Sequence, residues 1–110
     1  MIYLHNVLRY IEKIPDCTYI DMSVFTGDVV SGNCTNTMML DIPKDEIHEQ
    51  FQYNMPIVSL HINLKNAKGK GITYIYADQK NAFSNGRNIT KEIERVFDDG
   101  RSDNDKQKQS

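Results

Sequence analysis

Residues Ile57 to Asp78 read IVSLHINLKNAKGKGITYIYAD, and the pairing within this stretch sets the architecture expected of the chain. Val58, Leu60, Ile62 and Leu64 alternate with Ser59, His61, Asn63 and Lys65. That is the two-residue period of a strand with one apolar and one polar face. The glycine- and lysine-rich run from Lys65 to Gly71 interrupts the alternation, which resumes toward Ala77. With a turn centred on Lys68-Gly69, Leu64 faces Thr73, Ile62 faces Ile75 and Leu60 faces Ala77. The apolar sides then coincide, and a slip of one residue would put each of them on the wrong face. In this register His61 lies opposite Tyr76, Asn63 opposite Tyr74, and Lys65 opposite Ile72.

Working outward from the hairpin, Leu4, Val7, Leu8, Ile11 and Ile14 recur at three- and four-residue spacing. They predict an amphipathic helix stopped by Pro15, because the residue before a proline disfavours the helical region. Cys17 to Phe25 alternates as a strand, with Thr18, Ile20, Met22 and Val24 on one face. Thr26-Gly27-Asp28 and Ser31-Gly32-Asn33 carry turn chemistry around Val29-Val30. A second strand is expected from Thr35 to Ile42, with Met38, Leu40 and Ile42 on a common face and Met39 opposite them. Met22, Met38, Met39 and Met55 are expected mostly in the core, Met39 being either exposed or under a helix.

Ile47 and Phe51 at i and i+4 predict a short helix over Lys44 to Tyr53, capped near Asp41. Gln79 to Arg87 reads as loop. Asn88 then caps a last helix with the stripe Ile89, Ile93, Val96 and Phe97, ended by Gly100. The order α-β-β-α-β-β-α predicts an α+β domain over residues 1–100. Its sheet is expected to be four-stranded and largely antiparallel, with helices packed mainly on one face. Arg101 to Ser110 contain no apolar side chain and are expected to be a disordered polar tail.

Composition narrows the function classes. The chain has 110 residues, enough for one modest core. Thirteen basic and fifteen acidic residues leave a net charge of −2, which argues against a whole-chain polyanion binder. The longest apolar runs are far short of a membrane span. The N-terminal MIYLHNVLRYIEKI places charges inside its apolar pattern and lacks a small-residue cleavage site, unlike a secretory signal. Cys17 and Cys34 are therefore expected to be reduced thiols, and the chain cytoplasmic.

The chemistry-bearing residues form no motif for a catalytic, cofactor or metal site. The basic turn lacks the GxxxxGK[ST] spacing of a nucleotide-phosphate loop. His5, His48 and His61 are distant in sequence and outside any HxH or HExxH pattern, and read as exposed surface histidines. Neither cysteine is tied to a histidine by a local pattern, and both read as small half-buried strand residues. Pro15-Asp16 has no acid-x-Lys strand to complete a nuclease-like metal site, since the corresponding strand reads Asn63-Leu64-Lys65.

What remains is the polar face of the central hairpin: His61, Asn63, Lys65, Tyr74 and Tyr76, beside Lys68 and Lys70 in the turn. Tyrosines on an open sheet suit a protein partner. With nearby cations they also suit stacking of single-stranded nucleic acid, although the acidic balance opposes that reading. The leading expectation is a non-enzymatic module that binds, and by binding inhibits, a protein partner. Its expected class is the small accessory and anti-defence proteins of phages and mobile elements. A single-stranded nucleic-acid binder is the alternative. A third reading, weaker than either, is an enzyme assembled around Asp21, Asp28 and Asp41.

Overall fold

The computed structural model describes residues 1–28 and 30–95. Val29, the expected helix positions Val96, Phe97 and Gly100, and the expected polar tail lie outside these residues. Nine residues, Leu4–Glu12, form helix α1. Two long strands follow, β1 (Tyr19–Asp28) and β2 (Asn33–Pro43). A 3-10 turn (Lys44–Glu46) leads into the single helical turn α2 (Ile47–Gln50). The chain then forms β3 (Ile57–Lys65), β4 (Gly71–Asp78), β5 (Ala82–Ser84) and β6 (Arg87–Asn88). Residues 90–95 are helical.

All strand pairs are antiparallel, in the order β2-β1-β3-β4-β5-β6. The sheet has six strands rather than the four expected, because the segment expected to be a loop over Gln79 to Arg87 contains a further hairpin. Asn85 and Gly86 both adopt positive φ, 49° and 85°, between Ser84 and Arg87, which pair with each other. Asn-Gly is the strongest two-residue hairpin signal, since both positions of the tight turn need the left-handed region. Asp78 organises the preceding turn, its carboxylate accepting the N–H groups of Lys80 (2.9 Å) and Asn81 (2.8 Å). Asn88 accepts the Thr90 N–H at 2.9 Å, the capping contact expected for the last helix.

The central register follows the apolar pattern, with Leu60↔Ala77, Ile62↔Ile75 and Leu64↔Thr73. Lys65 pairs with Gly71 rather than Ile72, because the ladder shifts by one residue at the turn. Inside that turn Asn66 Oδ1 accepts from the backbone of both Lys68 and Lys70 at 3.0 Å. β1 extends the ladder on its other side, adding Met22 to the Ile62–Ile75 row and Val24 to the Leu60–Ala77 row. These side chains are at most 2% exposed and form one cluster with Leu4, Val7, Leu8 and Ile11 of α1, Ile47 of α2, and Ile89 and Ile93. The helices thus cover one face of the sheet.

β2 departs from expectation at one residue. Ile20 pairs with Ile42 but Met22 pairs with Met39, so Asp21 faces both Leu40 and Asp41 across a bulge. Asp41 takes φ 55° there and donates its N–H to Asp21 Oδ1 at 2.8 Å. Asp41 is therefore a strand residue, and Pro43 precedes the helical segment without a side-chain cap. The bulge splits the expected Met38-Leu40-Ile42 face. Ile42 packs on the core, whereas Met38 and Leu40 are each 66% exposed on the opposite face. Met39 turns inward and lines a groove with Phe51 and Met55.

Candidate functional site

The face of the sheet away from the helices is built by residues that alternate with the core. One row crosses the sheet as Met38–Ser23–His61–Tyr76–Phe83. A second runs Asp21–Asn63–Tyr74, and a third Phe25–Ser59–Asp78. His61, Asn63, Tyr74 and Tyr76 of the predicted surface therefore come together here. Ring centroids of His61 and Tyr76 lie 5.0 Å apart, and Tyr76 stacks on Phe83 at 6.3 Å with 26° between the planes. The Tyr74 hydroxyl and His61 Nδ1 are hydrogen-bonded. Tyr74 is also held through its backbone, which donates to Asn85 Oδ1 at 2.8 Å. Phe25 and Tyr74 are each 41% exposed. Asp21, Ser23, Met38, Leu40, His61 and Asn63 border a shallow depression of about 200 Å³.

Lys65 is oriented differently from the other predicted cations. Its ammonium donates to Asp21 (2.9 Å) and to Asp41. The Asp41 N–H and this ammonium hold the Asp21 carboxyl below the usual carboxylate range, while the two carboxylates raise Lys65. Lys65 is thus a local counter-ion, whereas Lys68 and Lys70 are exposed in the turn beyond the strand ends. Asp28 pairs with Asn33 at the far end of the β1–β2 hairpin and does not join Asp21 and Asp41. Phe83, Ser23, Met38 and Leu40 belong to this face without having been predicted. Phe83 was findable from the Asn-Gly turn next to it. Met38 and Leu40 were not, because a bulge leaves no periodic signal.

His5 of α1 and His48 of α2, expected to be separate and exposed, meet where the two helices adjoin and are half-buried. Their ring centroids are 6.0 Å apart, with His48 Nε2 2.6 Å from Glu12 Oε1 and His5 Nε2 donating to the Phe51 carbonyl at 2.9 Å. Among the described residues no three His, Cys, Asp or Glu side chains converge as a metal site. Cys17 is buried, and that burial raises its thiol pKa. Cys34 is exposed on β2 rather than half-buried. Among the described residues no helix is long and apolar enough to cross a membrane. No protein-family model matches the chain, and comparison with curated proteins and with solved structures finds no significant match.

Proposed function

We propose that the chain is a non-enzymatic module that binds a protein partner through the open sheet face. The observation that carries this reading is the composition of that face. Aromatic and aliphatic side chains, His61, Tyr74, Tyr76, Phe83, Phe25, Met38 and Leu40, lie on it, and its one strand lysine is paired with two carboxylates. Rigid aromatic groups with polar tips carry much of the energy at protein interfaces. The depression beside Met38 and His61 suits one inserted side chain of a partner. Occupying a partner's surface in this way is how a small accessory or anti-defence protein would inhibit it.

Single-stranded nucleic acid is the second reading, favoured by the stacked rings with Lys68 and Lys70 near the end of the hairpin. Against it stand Asp21, Asp41 and Asp78 on the same face, since phosphate neutralisation supplies most nucleic-acid affinity. The test captures the partner on immobilised chain, comparing the natural sequence with Tyr74→Ala/Tyr76→Ala and with Lys68→Ala/Lys70→Ala. A protein that is retained, lost with the tyrosines and kept without the lysines supports the proposal. Capture that ignores the tyrosines overturns it. Tight binding of a fluorescent oligonucleotide that falls steeply with salt and with loss of the lysines supports the second reading instead.

A further inference from the structure

β2 is the outermost strand of the sheet and the longest, with eleven residues from Asn33 to Pro43. One side of it bonds to β1; on the other, among the described residues, no strand pairs with its row of backbone donors and acceptors. Exposed edges of this kind are ordinarily blunted by lysine, proline, shortness or a central bulge. The opposite edge obeys that rule, since β6 has two residues and carries the Arg87–Glu92 ion pair. β2 obeys it only at its C-terminal end, where the bulge of Leu40 and Asp41 is followed by Pro43. From Asn33 to Leu40 the edge contains neither charge nor proline.

We propose that this edge pairs antiparallel with β2 of a second copy, about a two-fold axis normal to the sheet at Thr37. Self-complementarity of the strand favours a second copy as its partner. Two-fold pairing sets a strand against itself, so a charge near the axis would face its own sign. An eight-residue neutral run is what such pairing requires. The axis position follows from the pleat. A dyad normal to the sheet keeps each face on its own side, so opposed residues must share a face and the axis must pass through a residue.

At Thr37, Asn36 opposes Met38 and Cys34 opposes Leu40 on the open side, while Thr35 opposes Met39 on the inner side. Both exposed hydrophobics then meet smaller side chains. Centring on Met38 would drive Asp41 into the ladder opposite Thr35; centring on Asn36 would leave Leu40 against Gly32. On the inner face the same edge borders a groove of about 440 Å³ lined by Val24, Thr35, Thr37, Met39, Phe51 and Met55. α2 leaves this groove unfilled, and a second strand would extend its wall. The product is a continuous twelve-stranded sheet with both open faces on one side. Pairing through this edge leaves both open faces free, whatever they bind.

Sedimentation of the full chain is expected to give about twice the monomer mass of 12.7 kDa at micromolar concentration. Thr37→Lys puts like charges across the axis and should raise the dimer dissociation constant by about tenfold or more. Met38→Lys, at a side chain that is 66% exposed, sets the two new ammonium groups diagonally across the axis and should weaken the dimer by a smaller factor, roughly threefold, without touching the core. In a Cys34→Ser background, Thr37→Cys should cross-link with oxidised glutathione, because directly opposed strand residues lie within disulfide reach. Thr35→Cys should not, since it faces Met39. A monomer at hundreds of micromolar with native circular dichroism overturns the proposal. So does a dimer indifferent to both lysine variants, or equal cross-linking at positions 35 and 37. A heterologous strand that binds this edge while the chain itself stays monomeric also overturns it.

Discussion

His61 and Ile62 are neighbours on one strand and live in opposite environments. Ile62 is fully buried between Met22 and Ile75, whereas His61 is exposed between Ser23 and Tyr76. The strands are common to both faces, so the contrast comes from what packs on them. α1, α2 and residues 90–95 close one side, and nothing among the described residues closes the other. The covered face holds the fold together; the open face can change without unfolding it. Binding chemistry therefore belongs on the second.

The largest effect tests the covered face. Ile62→Ala should cost about 2–5 kcal/mol, read by urea unfolding, because the cavity is walled by two strands and cannot collapse. A cost below about 1 kcal/mol would show that the inner row is loosely packed and would blur the distinction between faces. Gly27→Ala comes next. Gly27 has φ 119°, and a Cβ there would lie 2.2 Å from the Asn33 carbonyl oxygen. We expect a loss of about 2 kcal/mol or more, with amide-exchange protection falling mainly at the β1–β2 hairpin end.

Asp78 lies on the open face yet has a structural task. Asp78→Ala removes the acceptor for two turn N–H groups and should cost about 1 kcal/mol by thermal unfolding. Its carboxyl is held below the ordinary range chiefly by the Asn81 N–H and then by that of Lys80, as Asp21 is held by Asp41 and Lys65. A depressed folded-state pKa contributes stability above the unfolded value, which is lost as pH falls through the folded one. Stability should therefore decline below about pH 4. Asp21→Asn with Asp78→Asn should flatten that decline, and Lys65→Met should raise the Asp21 titration seen by NMR. An unchanged acid limb would remove both carboxylates from the account.

The smallest effect on stability is expected at the centre of the open face. Tyr74→Ala should change unfolding free energy by about 1 kcal/mol or less, since its ring is partly solvated and loses mainly cross-strand contact. Partner capture should nonetheless be lost. A stability cost as large as that of Ile62→Ala would make Tyr74 a core residue in function and end the comparison.

The central hairpin was readable because only one register puts Leu60, Ile62 and Leu64 against Ala77, Ile75 and Thr73 on the same side. The segment of the β5–β6 hairpin was expected to be a loop from its polar residues, although Asn85-Gly86 carries the signal of a tight turn. Two features left no trace in the pattern. One is the bulge opposite Asp21, which turns Met38 and Leu40 outward. The other is the meeting of His5 and His48, forty-three positions apart along the chain.

Local alternation and turn chemistry were thus enough to specify the central hairpin, its register and its two faces, because these rest on contacts within one short stretch of chain. Which face would be covered, which lysine would be neutralised and which strand would be left at the edge depended on how distant segments docked. Those outcomes are decided by packing between elements, and the one-residue bulge at Asp41 likewise decides that Met38 and Leu40 point away from Ile42.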